Sequence, residues 1–244
     1  MHRINARNFP VQKVVAHICI PVCGRMCECS RQKTRCLLYH EWKTMGEAIV
    51  ISALVLAAGE SKRMGSMHKA LLPVSGSTFL EKIVTELSRT ECGELIVVLG
   101  AESEKIRERT DLRMARVVIN TEWETGQLSS LRAGIRKCSP ESEGVLFTLV
   151  DHPLIKESTY ESIIRLWKKN RHMIVIPTHI GRRGHPTLFP HALYHRLLND
   201  SLPDGARGLF REEKSLTLQI EVDDPGILID IDTMDDYKRY IGER

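Results

Sequence analysis

Residues 54–69, "LVLAAGESKRMGSMHK", run an apolar strand straight into three small residues, Ala57, Ala58 and Gly59, and then into a cluster of positive charge. A strand that only had to turn would need Asn-Gly or Pro-Gly, with no reason for Lys62, Arg63 and Lys69 to wait behind it. Small side chains let backbone N–H groups approach a ligand, and Gly59 permits unusual backbone angles. Arg and Lys are fork-shaped and point-charge partners for phosphate, so Ser61, Arg63 and Lys69 mark the loop as an anion site. The spacing is not G-x4-G-K-[ST], which argues against a P-loop, and no G-x-G-x-x-G supports a dinucleotide fold.

Outward from this loop the chain alternates apolar runs with amphipathic stretches. Strands are expected at Val50–Ala57, Glu94–Gly100, Arg116–Asn120, Val145–Val150 and Met173–Pro177. Their near-unbroken hydrophobicity suits strands covered on both faces, hence a mostly parallel sheet. Helices are expected at Thr78–Arg89, Ser103–Thr110, Ser130–Cys138 and Ser158–Asn170, the first opened by the capping-box form of Thr78-Phe-Leu-Glu81. The alternation predicts an α/β fold, a doubly wound three-layer α/β/α sandwich.

In such a sheet the ligand lies at the carboxyl ends of strands. Besides the opening loop, two further segments there are chemically loaded. Asp151-His152-Pro153 follows the fourth strand directly, and Asp230-Ile231-Asp232-Thr233 lies late in the chain. A lone Asp after a strand can simply cap a turn. Opposite a phosphate site it reads instead as a Mg²⁺ ligand, because Mg²⁺ takes one or two carboxylates and completes its shell with phosphates and water. Asp230 and Asp232 stand two apart on an extended segment, so a second carboxylate could close the same site, while Thr233-Met-Asp-Asp236 also has the form of a helix start.

The composition divides the chain. The formal charge of the 244 residues is +4. Residues 1–44 carry a net +6, which leaves −2 on residues 45–244, so the body has no basic surplus for nucleic acid. Cys19, Cys23, Cys27, Cys29 and Cys36 crowd the first segment, in a spacing that fits none of the usual zinc or iron–sulfur frameworks. Residues 1–44 are read as a Cys-rich basic extension, disordered or not made if translation starts at Met45, and residues 45–244 as the folded domain. The apolar run from Val14 to Val22 is far short of the roughly 20 residues of a membrane helix and no small-x-small cleavage site follows it. Cys92 and Cys138, scattered in the body, suit a reducing cytoplasm.

Five segments in order, "LAAGESKRMGSMHKALLPV", "WETGQLSSLRAGI", "LVDHPL", "GRRGHPTLF" and "IDIDTMDDY", resemble the MobA-like nucleotidyltransferases, most nearly their molybdenum cofactor cytidylyltransferase branch. The resemblance spans about residues 50–241. It implies a Rossmann-like nucleotidyltransferase fold that uses CTP and Mg²⁺, attaches CMP to the terminal phosphate of molybdopterin and releases pyrophosphate. It implies that Ala57, Ala58 and Gly59 hold base and ribose through their backbone, that Arg63 and Lys69 grip the triphosphate, and that Gly126, Gln127, Ser129 and Ser130 lie near the base. Asp151 would bind Mg²⁺ with Asp232 as second ligand and Asp230 behind it, and Gly184-His185-Pro186 would face the acceptor. Two departures bear on specificity. The spacing Arg63-Met-Gly-x3-Lys69 is one residue longer than R-M-G-x2-K of the cytidylyl branch, and His68 stands where the guanylyl branch carries Asp. GTP, another phosphate acceptor, or a non-catalytic module handing cofactor to a molybdenum hydroxylase are the alternatives.

Overall fold

A computed structural model of the chain describes residues 49–65 and 67–242. The reading of residues 1–44 lies outside the described residues. The first strand, β1 (Val50–Ala57), is almost entirely buried, and its side chains alternate between the two faces of a central sheet. Ile51, Ala53, Val55 and Ala57 enter one apolar cluster, and Leu54 and Leu56 enter the other. A strand with a core on each side has no polar face to show, which is why its sequence reads as one apolar run.

The sheet continues through β4 (Glu94–Leu99), β5 (Arg116–Ile119), β6 (Ser142–Leu149), β7 (Ile174–His179), β9 (Thr187–Pro190) and β10 (Thr217–Glu221), in the order β10-β7-β9-β6-β1-β4-β5. Strands β2 (Pro73–Val74) and β3 (Ser77–Thr78) form a separate two-stranded ribbon, and β8 (Arg182–Arg183) turns back on β7. β1 pairs parallel with β4 and β6, β4 with β5, and β7 with β10, whereas β9 runs antiparallel to both β6 and β7.

Helices cover both faces. On one lie α1 (Phe79–Ser88), α2 (Ser103–Arg109) and α4 (Glu157–Lys168), which bury Phe79, Ile83, Ile106, Ile163 and Trp167. On the other lie α3 (Gln127–Ile135), α5 (Tyr194–Asn199) and α6 (Arg207–Glu212), which bury Leu131, Ile135, Leu197 and Leu209. The last helix, α7 (Met234–Tyr240), opens with a capping box between Thr233 and Asp236, as α1 does between Thr78 and Glu81. Each box satisfies two backbone N–H groups that the first turn would otherwise leave unpaired.

The architecture is the three-layer α/β sandwich expected, and all five expected strands and four expected helices are present, β1 with the expected ends and the others with one or both ends shifted. The expected helix at Ser130 begins three residues earlier, at Gln127, where Gly126 takes a positive φ of 111° that favours glycine. β9 and β10 had no counterpart among the expected strands. The antiparallel direction of β9 matters most, since it brings the residues before the strand, Gly184-His185-Pro186, to the same sheet edge as the carboxyl ends of β1, β5 and β6.

Candidate functional site

At that edge a cleft opens beside the end of β1. A cavity of about 380 Å³ is lined by Ala58, Gly59, Ser61, Gly126, Gln127, Ser130 and Asp151 among others. A recess of about 180 Å³ continues from it past Gly59, Ser61, Arg63, Lys69 and Asp151. On the other side, sharing Gly126 and Gln127, lies a cavity of about 840 Å³ that includes Gly184 and His185. The cleft thus holds residues from the opening loop, the Gly126 turn, the Asp151 segment and Gly184-His185, drawn from loops far apart in the chain, while Asp232 reaches it through its pairs with Lys69 and Arg63.

The recess is organised around one ammonium group. Lys69 Nζ pairs closely with Asp232 Oδ1 and stands 3.4 Å from Asp151 Oδ2, while Arg63 Nη2 reaches Asp232 Oδ2 at 2.7 Å. Lys69 is 9 % exposed, so its charge is held in place by the two carboxylates rather than by water. Burial pushes the Asp232 carboxyl up, but its hydrogen bond to Lys69 and the charges of Lys69 and Arg63 outweigh burial and hold it below the usual carboxylate range. The position of Asp232 relative to Asp151 is set by backbone: Ile231 N–H donates to the Asp151 carbonyl at 2.8 Å. Asp230, one residue before, is exposed and joins none of the ion pairs among the described residues.

The loop before Lys69 is tied to itself. Ser61, in the left-handed conformation at φ 58°, accepts the Lys69 N–H on its hydroxyl at 3.0 Å. Next to Lys69, His68 spans from the Gly59 carbonyl to the Ala70 N–H.

The wall of the middle cavity is built differently. Asn120, just past β5, donates from Nδ2 to the hydroxyls of Ser129 at 2.9 Å and Ser130 at 3.0 Å. Ser129 spends its hydroxyl on the carbonyls of Glu122 and Gly126, at 2.9 and 2.8 Å, and so staples the turn instead of lining the cavity. Ser130 is buried, lines the cavity and is set by Asn120. Ala57 is likewise buried at 1 % exposure, leaving Ala58 and Gly59 to face the cleft.

Beyond Gln127 the large cavity has an apolar floor that includes Phe147, Ile176 and Phe210. Phe147, Phe189 and Phe210 stack with centroids 5.9 and 5.5 Å apart. Its rim carries Arg183, Arg207 and Arg211, of which Arg211 is paired with Asp204. His185 lies edge-on to Phe147 at 5.6 Å and 4.9 Å from His152. Burial, then the neighbouring His152 and Arg207, pushes its imidazole down to about 3, so it is neutral at ordinary pH. Gly184 has no room for a side chain, because a Cβ there would stand 2.2 Å from the Ile227 carbonyl oxygen. Neither the floor nor the arginines were singled out in the sequence. Asn120 could have been, since it follows a strand directly.

Two carboxylates around a cation invite the question of a metal. Among the described residues no group of three or more His, Cys, Asp or Glu side chains converges. The donor set is the sparse one that suits Mg²⁺ or a similar hard cation bound jointly with phosphates. Asp151 Oδ1 fits that role, being buried with no hydrogen-bond partner among the described residues.

A doubly wound sheet with a small-residue loop, two basic side chains and two carboxylates at its carboxyl edge has the groups to hold a phosphate-bearing ligand together with a hard cation. Residues 53–217 match the MobA-like NTP transferase domain, and the chain belongs to that family. It is 29 % identical over 197 residues to nicotine blue oxidoreductase of Paenarthrobacter nicotinovorans, covering 78 % of this chain and 96 % of that protein. It is 25 % identical over 189 residues to molybdenum cofactor cytidylyltransferase of Escherichia coli, covering 77 % and 93 %. The crystal structure of Rv0371c from Mycobacterium tuberculosis superposes with a TM-score of 0.72 at 27 % identity, over 81 % of this chain and 100 % of that one. The same protein in complex with manganese superposes at 0.64 and 25 % identity, with the same coverage. Among the described residues no helix is long and apolar enough to cross a membrane.

Proposed function

We propose that the chain is a cytidylyltransferase that moves CMP from CTP to the terminal phosphate of molybdopterin and releases pyrophosphate. The observation that carries the reading is the Lys69 ammonium, held between Asp151 and Asp232 at the mouth of the Ala58-Gly59 loop. The Escherichia coli relative, named for that reaction, supports the choice of nucleotide and acceptor.

On this reading the base and ribose lie in the middle cavity against Gly126, Gln127 and Ser130, and the triphosphate runs over Gly59 into the recess. An acceptor phosphate oxygen attacks the α-phosphorus in line, a new P–O bond forms, the bond to the β-phosphate breaks, and the electron pair leaves on pyrophosphate. The attacking group is already an anion, so neither His152 nor His185 has to remove a proton. Arg63 and Lys69 neutralise charge on the triphosphate and on the departing pyrophosphate. Asp151 and Asp232 would hold Mg²⁺, which when bound neutralises the charge spread over the transferring group. Gly184, His185 and Pro186 would line the path of the acceptor, and Cys92 and Cys138, both free thiols, fit work in a reducing cytoplasm.

The rival reading follows from the relative named as an oxidoreductase. The two separate cleanly in one assay: purified chain, Mg²⁺, molybdopterin, and either CTP or GTP, with pyrophosphate as the readout. CTP-dependent pyrophosphate release is expected. Release with GTP alone would change the nucleotide and keep the class, and no release with either would remove the transferase reading.

A further inference from the structure

The mechanism leaves one buried side chain at the phosphate loop unused. His68 is 2 % exposed, yet its ring is fully engaged: Nε2 lies 2.6 Å from the Gly59 carbonyl oxygen, and Nδ1 accepts the Ala70 N–H at 3.2 Å. An acceptor at Nδ1 and a carbonyl at Nε2 assign the neutral tautomer with its proton on Nε2. Burial favours that neutral ring, lowering its affinity for a second proton against the pull of the Gly59 hydrogen bond and then of Glu102.

The consequence lies in the peptide planes. A trans peptide unit points its carbonyl and its N–H in opposite directions. The Ala58 carbonyl is taken by the Ala101 N–H at 3.0 Å, which turns the Gly59 N–H the other way. The Gly59 carbonyl is taken by His68, which turns the Glu60 N–H away from His68 in the same manner. Gly59 and Glu60 both line the middle cavity, and among the described residues neither N–H is taken up by a backbone carbonyl. Two pinned carbonyls therefore leave two adjacent backbone N–H groups without a backbone partner beside the cavity, where an anion could accept from them.

We propose that His68 is a positioning residue, a clasp whose Nε2–H fixes the Gly59–Glu60 peptide so that its N–H faces the polyphosphate of the substrate. The inference rests on the reading of the cleft as a nucleoside triphosphate site, but it concerns the phosphates and not the base or the acceptor. It also gives the departure from the family pattern at this position a physical content: an imidazole reaches both partners at once, which a shorter Asp or Asn cannot.

Two substitutions divide the ring. His68→Asn keeps an oxygen where Nδ1 accepts from Ala70 but cannot reach Gly59, and His68→Gln carries an N–H donor out to the position of Nε2. Titration calorimetry of the full chain with Mg²⁺-tripolyphosphate and with Mg²⁺-CTP is the test, beside thermal unfolding of each variant. For both ligands His68→Asn should bind about tenfold more weakly, the size of one lost anion-directed hydrogen bond, and His68→Gln within about threefold of the parent. Equal binding by His68→Asn and the parent would overturn the clasp. So would His68→Gln weakening as much as His68→Asn with affinity tracking thermal stability, because a purely structural ring would behave that way. A parent chain that binds neither ligand would sink the triphosphate site together with the clasp. Tripolyphosphate binding that depends on His68, without nucleotide turnover, would keep the clasp and discard only the proposed reaction.

Discussion

At the Lys69 end of the cleft, charge is matched and the loop is cross-tied: one ammonium between two carboxylates, Ser61 on the Lys69 amide, His68 on the Gly59 carbonyl. At the Phe210 end the cavity is more than twice the volume of the middle one, floored by stacked aromatics and rimmed by Arg183 and Arg207, which enter none of the ion pairs among the described residues. The contrast is one of preorganisation. Electrostatic catalysis profits from groups already fixed where charge develops, because little reorganisation remains at the moment of reaction. On the proposed reaction the Phe210 end has only to hold the acceptor, and arginines outside any ion pair among the described residues, over an apolar floor, would do so without a rigid scaffold. The two ends should therefore respond differently to mutation.

The hardest break falls at the Lys69 end. Asp151→Ala removes one of the two carboxylates that flank Lys69 and the buried unpartnered oxygen of the candidate metal site. Turnover should drop by about a thousandfold or more, on the scale of losing one preorganised electrostatic group. The fold should persist, because Asp151 ties β6 to the Asp232 segment through its backbone carbonyl, which the substitution keeps. Pyrophosphate release and circular dichroism on the same sample check this, and wild-type turnover would take Asp151 out of the mechanism.

Much of that end was legible in the chain. Arg63, Lys69 and Asp151 sit within a few residues of a small-residue turn or a strand end, where a parallel sheet exposes chemistry. Asp232, expected at a strand end too, follows no strand directly, because β10 closes at Glu221 and a short turn intervenes. The apolar runs marked the buried parallel strands for the same reason: both faces are covered, so no polar alternation interrupts them. Of the Phe210 end only Gly184 and His185, with Gly126 and Gln127 at its border, were named from the sequence; its aromatic floor and arginine rim were hidden because no local pattern marks them. β9 is four residues long and ends in Pro190, β10 buries only part of each side chain, and α6 spans six residues. Phe147, Arg183, Arg207 and Phe210 come together only through the antiparallel insertion of β9, a long-range pairing that neither periodicity nor spacing encodes. His68 escaped because its role lies in its two partners and not in its charge.

Acid should act next, and through histidines at both ends. His185 is half-buried at the border of the large cavity with its affinity for protons depressed to about 3, whereas in the unfolded chain a histidine takes its proton near 6.5. Between those values the unfolded state binds the extra proton, so this contribution is fully present above about pH 6.5 and is lost as pH falls toward 3. At pH 5 the loss is about 2 kcal/mol. His68 and His152, also depressed first by burial, act in the same direction. Denaturant unfolding at pH 7.5 and pH 5 measures the difference, and His185→Asn should flatten a good part of it. An unchanged slope would mean that His185 is protonated in the folded protein.

A smaller effect is expected from the rim. Arg183→Ala or Arg207→Ala should raise the acceptor KM by about tenfold, the scale of one charge-assisted hydrogen bond, and leave the nucleotide KM within about twofold. Both arginines lie on the large cavity and neither lines the recess around Lys69, so the separation of the two constants is the informative quantity. If nucleotide KM rose in step, the two cavities would not divide the substrates between them.

The smallest effect tests how sharply the charged end is bounded. Asp230 and Asp232 share a short segment and a formal charge, but Asp232 is engaged by Lys69 and Arg63 and Asp230 is exposed. An exposed carboxylate acts on the recess only through screened charge, worth a few tenths of a kcal/mol at physiological salt. Asp230→Asn should leave turnover within about twofold of the parent, while Asp232→Asn, which weakens the hold on Lys69 and Arg63 and removes a charge from the candidate metal site, should approach the loss at Asp151. Equal losses at both positions would extend the cation site to Asp230 and would place the segment closer to the recess when substrate is bound.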